Sequence, residues 1–206
     1  MKQFITGGAG FIGSNYVRYI LNNTDDEVTV FDALTYAGNL STMRDVENNS
    51  RYKFVKGNIC DAAAVADAMK GHDAVVHFAA ESHVDRSIAG SAEFIRTNVM
   101  GTHTLLEAAR QTNLGRFVHV STDEVYGTIS EGQWDENSKV DTNSPYSSGK
   151  ASADLIAMSF FRSHGVPVLI TRSSNNYGPR QNSEKFVPKV ILNILNFLSF
   201  FISSLA

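Results

Sequence analysis

Two side chains in the stretch "SPYSSGKAS", residues 144–152, have a spacing that could support proton transfer. Tyr146 and Lys150 are four positions apart, and the Ser-Pro pair before Tyr146 favours the start of a helix. On a helix, residues four apart share one face and lie about 5–6 Å from each other. A nearby ammonium favours the ionised form of a phenol, so the pair could accept the proton of an alcohol. The alternative is a surface tyrosine beside a solvated lysine.

A pair of adjacent carboxylates occurs in the stretch "STDEVYG", residues 121–127. Asp123 and Glu124 follow the apolar run 116–120, which predicts a buried strand. Charges at the end of such a strand are costly unless they have partners. Two carboxyl groups in different environments can take different pKa values and act as an acid and a base. The alternative is that Asp123 caps the next turn and Glu124 is exposed.

The elements that must position these side chains alternate along the chain. Strands are predicted at 3–6, 27–32, 52–57, 74–80, 116–121 and 167–173, and the clearest helices at 91–112 and 145–164. Continuous apolar strands joined by helices predict an α/β protein with a doubly wound parallel sheet covered on both faces. Such a sheet brings the carboxyl ends of its strands to one edge, where ligands bind.

The glycine-rich stretch "TGGAGFIGS", residues 6–14, lies between the first predicted strand and a helical segment. Both Gly8, Gly10, Gly13 and Gly7, Gly10, Gly13 satisfy dinucleotide-binding spacings, because glycine permits a tight turn and a close approach to a pyrophosphate. Asp32 ends the second strand, 19 residues after Gly13, where a carboxylate can bind an adenosine ribose. Ala33 follows it instead of arginine. The sequence therefore predicts a Rossmann domain that prefers NAD to NADP.

Composition excludes several classes of protein. The 206 residues are 43% hydrophobic and carry a net charge of −3, which predicts one globular domain, or one and part of another, without a broad basic face for nucleic acid. The single cysteine, Cys60, cannot form an intrachain disulfide and predicts a cytoplasmic location. The histidines lack ligand-like spacing, so no metal site is expected.

After Lys189 come 17 residues without a charge, which predict a buried or interface helix and not a membrane anchor.

Six stretches together resemble the extended short-chain dehydrogenase/reductase family and, within it, the dTDP-glucose 4,6-dehydratases. They are "TGGAGFIGS", "FDALTYAGNL", "HFAAESHVDRSI", "STDEVYG", "SPYSSGKAS" and "TRSSNNYGP", and the likeness runs from residue 1 to about residue 195. The resemblance implies an NAD-dependent lyase of nucleotide-sugar metabolism. It oxidises C4 of dTDP-glucose, eliminates water across C5 and C6, and returns hydride to C6, which gives dTDP-4-keto-6-deoxyglucose. It also implies a homodimer that pairs through the two long helices.

The resemblance also implies roles for individual residues. Tyr146 is the base for the C4 hydroxyl, helped by Lys150 and Thr122. Glu124 removes the C5 proton, and Asp123 protonates the departing C6 hydroxyl. The implied cofactor contacts are Gly7, Gly10, Phe11, Ile12, Gly13, Asp32, Ala33, Leu34, Thr35, Asn58, Ile59, Phe78, Ala79, Ala80, Thr97, Tyr146, Lys150 and Asn176. The implied substrate contacts are Ser82, Thr122, Asn175, Lys185 and Phe186.

The chain departs from the family pattern in two places. Asn58 stands where family members usually have an aspartate that meets adenine. The likeness also stops near residue 196, although the family continues with most of its nucleotide-sugar pocket. We therefore expect an NAD-binding Rossmann domain at 1–183 and the start of a substrate region at 184–206, ending in an atypical apolar tail, with most of the C-terminal substrate domain missing. Weak dTDP-glucose binding and little or no turnover follow from that expectation. The alternatives are a nucleotide-sugar 4-epimerase, a related nucleotide-sugar dehydratase, or a truncated, inactive NAD-binding module.

Overall fold

A six-stranded parallel sheet forms the centre of the molecule, a computed structural model that describes residues 1–196. Its strands are β1 (Lys2–Thr6), β2 (Glu27–Asp32), β3 (Tyr52–Lys56), β4 (Ala74–His77), β5 (Arg116–Thr122) and β6 (Val168–Ser173), in the spatial order β3-β2-β1-β4-β5-β6. Every pairing is parallel. The chain winds outward from β1 to β3 and then from β4 to β6 in the opposite direction. This confirms the predicted doubly wound sheet and puts a crevice at the carboxyl ends of β1 and β4.

Helices connect the strands and cover both faces of the sheet. They are α1 (Phe11–Asn23), α2 (Ala62–Met69), α3 (Val84–Ala89), α4 (Ala92–Phe94), α5 (Thr102–Arg110), α6 (Pro145–His164) and α7 (Phe186–Leu195). A π-helical turn, Ile95–Gly101, joins α4 to α5, and 3₁₀ turns lie at Leu40–Met43 and Asp123–Tyr126. The predicted helix 145–164 is confirmed as α6, whereas the predicted helix 91–112 consists of α4, the π-helical turn and α5. The predicted strand 74–80 is shorter, because the chain leaves the sheet once the Phe78 N–H has bonded to the Thr6 carbonyl at 3.0 Å, where β1 ends.

Two apolar clusters lie on opposite sides of the sheet because side chains alternate along each strand. Phe4 and Phe117 belong to one cluster, with residues of α2, α5 and α6. Ile5 belongs to the other, with Val17 of α1 and the β2 residues on that side. Burial on both faces explains why the sequences of the central strands are continuous apolar runs.

Helix α6 begins where the sequence predicted because its first turn is capped. The Ser147 N–H donates to Ser144 Oγ at 3.1 Å, and the Ser144 N–H donates to Ser147 Oγ at 3.0 Å. This reciprocal capping is typical of a helix start and is worth about 1 kcal/mol. At the other end, Gly165 takes the left-handed conformation with φ of 70°. The start at Pro145 orients Tyr146 and Lys150 toward the end of β5.

Helix α7 differs from the other helices. No side chain of Phe186–Leu195 is buried, so the prediction of a buried helix is wrong for these residues, and an interface helix stays a prediction. The rest of the uncharged segment, residues 197–206, lies outside the described residues. Within residues 1–196, no helix has the length and apolar character needed to cross a bilayer.

Candidate active site

A cavity of about 650 Å³ opens at the carboxyl ends of the strands. It brings together most of the residues predicted from the sequence. These are Gly7, Gly10, Phe11, Ile12, Gly13, Asp32, Ala33, Thr35, Asn58, Ile59, Phe78, Ala79, Ala80, Ser82, Thr97, Thr122, Glu124, Tyr146, Lys150, Asn175, Asn176 and Lys185. Three predicted site residues, Leu34, Asp123 and Phe186, do not line it.

The glycine-rich turn leaves room for a pyrophosphate against the backbone. Gly7 has a φ of 69°, and a Cβ there would come within 2.6 Å of the Ala79 nitrogen. A Cβ on Gly13 would collide with the Gly7 carbonyl oxygen. Helix α1 starts directly after Gly10, which has no side chain to cap the first turn. The free N–H groups of that turn therefore face the cavity, where they can bind phosphate oxygens.

The carboxylate at the end of β2 is held by backbone N–H groups. Asp32 Oδ2 accepts from the Ala9 N–H at 3.0 Å, and Oδ1 accepts from the Leu34 N–H at 2.8 Å. Burial raises the pKa of Asp32, and these two N–H groups oppose that effect. Each oxygen keeps a lone pair for a ribose hydroxyl. Leu34 thus acts through its backbone N–H, and its φ is 55°.

Asn58 and Thr97 also line the cavity. Asn58 Oδ1 already accepts from the Cys60 N–H at 2.9 Å, so its acceptor oxygen is partly used by its own turn. Thr97 lies on the π-helical turn, which the sequence did not predict. Gly101 ends that turn, and a Cβ there would collide with Ile59. A glycine within a predicted helix was the available signal for this close packing.

Tyr146 and Lys150 lie on the cavity face of α6. Lys150 is 4% exposed, and its ammonium donates to the Val120 carbonyl at 2.7 Å. Burial lowers the pKa of Lys150 to about 8. The pKa of Tyr146 is raised, mainly by burial and then by the charge of Glu124, while its hydrogen bond with Thr122 opposes the shift. The surrounding protein groups therefore favour the neutral phenol of Tyr146.

The 3₁₀ turn after β5 holds the two adjacent carboxylates. Thr122 caps this turn, since its Oγ1 accepts from the Glu124 N–H at 3.2 Å and donates to Asp123 Oδ1 at 3.3 Å. Glu124 is half-buried, and burial followed by the charge of Asp123 raises its pKa, against the opposing effect of Lys185. The alternative in which Asp123 caps the turn and Glu124 is exposed is therefore wrong. Asp123 itself lies outside the cavity lining.

Some residues at the site were not identified from the sequence. Tyr36 and Arg180 also line the cavity. The Arg86 guanidinium lies 4.4 Å from the centre of the Tyr36 ring. Buried Asn98, on the π-helical turn, accepts from the Glu81 N–H at 2.8 Å and donates to the Glu81 carbonyl at 2.9 Å, which holds the loop after β4. These side chains act through partners distant in sequence, and no local pattern marks them.

Three predicted substrate contacts and the predicted cofactor contact Asn176 also line the cavity. Ser82 comes from the loop after β4, Asn175 and Asn176 follow β6, and Lys185 precedes α7. The Asn176 amide donates to Ser173 Oγ and to the Ser174 carbonyl, both at 3.2 Å. Phe186 is the first residue of α7 and lies outside the lining. Across residues 1–196 there is no cluster of three or more side chains suited to hold a metal ion.

Comparisons with known proteins identify relatives of this chain. It is 53% identical over 201 residues to a dTDP-glucose 4,6-dehydratase of Streptomyces niveus, covering 95% of this chain and 60% of the relative. The corresponding enzyme of Escherichia coli is 47% identical over 216 residues, with 95% and 60% covered. The crystal structure of DesIV, a dTDP-glucose 4,6-dehydratase from Streptomyces venezuelae with NAD and TYD bound, matches with a TM-score of 0.93. It is 51% identical and covers 96% of this chain and 63% of that one.

An epimerase structure is also similar, at lower identity. A UDP-glucuronic acid 4-epimerase from Bacillus cereus, in complex with UDP-glucuronic acid and NAD, matches with a TM-score of 0.91 and 30% identity. This chain spans about 60% of the length of the curated relatives that it matches. The family model described as GDP-mannose 4,6 dehydratase matches residues 4–199 of the 206. The resemblance predicted from the motifs is thereby confirmed, and the chain belongs to the GDP-mannose 4,6-dehydratase family.

Proposed function

We propose that this chain forms the NAD-binding and acid–base part of a dTDP-glucose 4,6-dehydratase, with dTDP-4-keto-6-deoxyglucose as the product. One observation carries the proposal. Glu124 is half-buried in the same cavity as Tyr146 and Lys150, at the end of β5. The cavity thus has one proton acceptor for an alcohol and a second for a neighbouring carbon. Elimination of water from an oxidised sugar requires both.

The residues around the cavity fit NAD. The first turn of α1 would hold the pyrophosphate, Asp32 the adenosine ribose, and Asn58, Ile59 and Thr97 the adenine side. When bound, NAD supplies the acceptor and donor of hydride at the sugar carbons. A cationic nicotinamide ring would also oppose the raised pKa of Tyr146. Residues 1–183 form the proposed NAD-binding domain, and 184–206 the start of the substrate region.

The proton transfers can be assigned to residues of this chain. Tyr146 accepts the proton of the C4 hydroxyl, with the Thr122 hydroxyl bonded to its phenol. The resulting ketone at C4 makes the C5 proton acidic, and Glu124 accepts it. A raised pKa makes Glu124 a stronger base, closer to the pKa that suits proton transfer at neutral pH.

Release of the C6 hydroxyl requires an acid. This role is assigned to Asp123 from the resemblance alone, because Asp123 is not among the residues that line the cavity. Ser82, Asn175 and Lys185 would contact the nucleotide sugar, with Phe186 adjacent. The Lys185 ammonium also favours the ionised form of Glu124, which suits a group that must start the elimination without its proton.

An epimerase is the weaker alternative. A 4-epimerase of this fold needs the Tyr-Lys pair and a cofactor, but it does not need a carboxylate that removes a proton from C5. The identity to the epimerase structure is 30%, against 51% for the dehydratase structure. The position of Glu124 in the cavity therefore favours the dehydratase.

The test of the proposed function is turnover of dTDP-glucose with NAD. It should be run on the chain itself and on a fusion of residues 1–196 to the remaining C-terminal region of the Streptomyces niveus relative. The 4-keto product is measured by its absorbance in alkali, and we expect it from the fusion. A 4-epimeric sugar without that absorbance would identify an epimerase. NAD binding with no conversion by either protein would identify a binding module.

Replacing Asp32 tests the cofactor preference. We expect the parent chain to bind NAD more tightly than NADP, because the Asp32 carboxylate would face the extra phosphate. Asp32→Ala should reduce the ratio of the NADP and NAD dissociation constants by about tenfold or more. A change of that size is expected when a hydrogen bond to a charged group is lost. Calorimetry with both cofactors measures this. Asp25→Ala, an equal change of charge at an exposed position, is the control, and equal affinities in the parent would contradict the prediction.

The proposal includes a homodimer in the cytoplasm. Exposed apolar side chains on the two long helices support the dimer, namely Ile95 and Met100 near the π-helical turn and Leu155 and Phe161 on α6. The single cysteine, Cys60, supports a reducing compartment. Light scattering at micromolar concentration should give twice the monomer mass of 22.5 kDa. A folded, monodisperse monomer would contradict the dimer.

A further inference from the structure

Asp154 is a buried carboxylate that none of the proposed proton transfers uses. It lies one helical turn after Lys150 on α6, is 1% exposed, and does not line the cavity. Residues four apart on a helix are neighbours, so Asp154 lies beside Lys150 on the same face of α6. Because a buried charge is costly without partners, the presence of Asp154 at this position requires an explanation.

A neighbouring strand holds the Asp154 carboxylate. Arg172 of β6 donates from Nε to Asp154 Oδ2 at 2.8 Å, and its Nη1 donates to the Tyr126 hydroxyl at 2.8 Å. The other carboxylate oxygen lies 3.3 Å from His119 Nε2. Burial would raise the pKa of Asp154, but His119, Ser121 and Arg172 outweigh it, and the pKa lies below its usual value. Asp154 is therefore ionised at neutral pH.

The other titratable groups around Lys150 do not balance its charge. His77 on β4 and His119 on β5 are both neutral at pH 7, because burial lowers the pKa of His77 well below its ordinary value and that of His119 to about 4. Tyr146 on α6 is neutral because burial raises its pKa. Arg172 on β6 is positive. The carboxylates of Asp123 and Glu124, on the turn after β5, act on Tyr146. Asp154 opposes the effect of burial on the pKa of Lys150.

We propose that Asp154 is a positioning residue that keeps the buried Lys150 ammonium charged, and that Arg172 holds the Asp154 carboxylate in place from β6. The consequence concerns the proposed reaction. A neutral Lys150 could not favour the phenolate of Tyr146, so Asp154 would support the first proton transfer without touching substrate or cofactor. Only this consequence rests on the proposed function, because the charge of Lys150 can be measured in the chain alone.

The test follows the titration of Lys150 directly. The full chain is prepared with lysine labelled with ¹³C at Cε, and its NMR spectra are recorded between pH 6 and 11. Loss of one resonance in Lys150→Arg identifies the Lys150 signal. We expect a midpoint of about 8 in the parent and a midpoint lower by about one pH unit in Asp154→Asn, the size expected for loss of a close opposite charge. Asp154→Glu should restore most of the shift.

Two further variants make the result decisive. Asp67→Asn removes the same charge at an exposed position on α2 and should leave the midpoint unchanged. If Asp154→Asn does not fold, Asp154→Asn/Arg172→Gln removes both members of the buried pair, and its midpoint should lie below that of Arg172→Gln alone. An unchanged midpoint in a folded Asp154 variant would overturn the inference whether or not the chain turns over dTDP-glucose. A lowered midpoint in a protein without dehydratase activity would support the inference and defeat only the proposed function.

Discussion

Glu124→Gln is expected to stop the reaction after the first oxidation. Glutamine has nearly the same shape as glutamate but cannot accept the C5 proton, and loss of a positioned base typically costs about 10²–10⁴-fold in rate. Tyr146 and Lys150 remain intact, so oxidation at C4 should continue. In the fusion that carries the C-terminal region of the relative, reduced cofactor should then accumulate on the enzyme. Its near-ultraviolet absorbance and the alkali assay of product measure the two stages separately.

Glu131→Gln is the matched control for this prediction. Glu131 is exposed on the loop after the 3₁₀ turn and lies outside the cavity lining, so this variant should form product at the parent rate. Asp123→Asn should also slow elimination, because an amide is a far weaker acid than a carboxyl group. If Glu124→Gln formed product at the parent rate, Glu124 would not be the base, and the dehydratase proposal would lose its main support.

Tyr146→Phe is expected to block an earlier step. Phenylalanine has no hydroxyl to accept the proton from the C4 hydroxyl, so oxidation itself should slow by about 10²–10⁴-fold. Neither reduced cofactor nor product should then appear. The same two absorbance measurements therefore distinguish this variant from Glu124→Gln, which accumulates reduced cofactor.

The control for the tyrosine variant is Tyr19→Phe, which removes a hydroxyl from an exposed side chain on α1. It should leave both stages unchanged. Reduced cofactor that appeared in Tyr146→Phe at the parent rate would show that another group accepts the proton. Thr122, which hydrogen-bonds the Tyr146 phenol, would be the next residue to replace.

Local patterns in the sequence determined the elements of this fold. The apolar runs predicted the parallel strands because both faces of the sheet are buried. Ser144 and Pro145 predicted the start of α6 because capping depends on residues within one turn. The glycines at 7, 10 and 13 predicted the turn before α1, because backbone conformation is a local property. Asp32 predicted the ribose-binding carboxylate, because the end of a strand is also a local property.

The tertiary structure decided the properties that depend on burial and on distant partners. Burial and the charge of Glu124 raise the pKa of Tyr146, although the spacing to Lys150 alone suggested the opposite direction. Asp123 and Glu124 are adjacent on the 3₁₀ turn that Thr122 caps, yet only Glu124 lines the cavity. Arg172 reaches Asp154 across 18 positions of sequence. Sequence spacing carries no information on such contacts, because they form only when strands and helices pack and remove water from the charges between them.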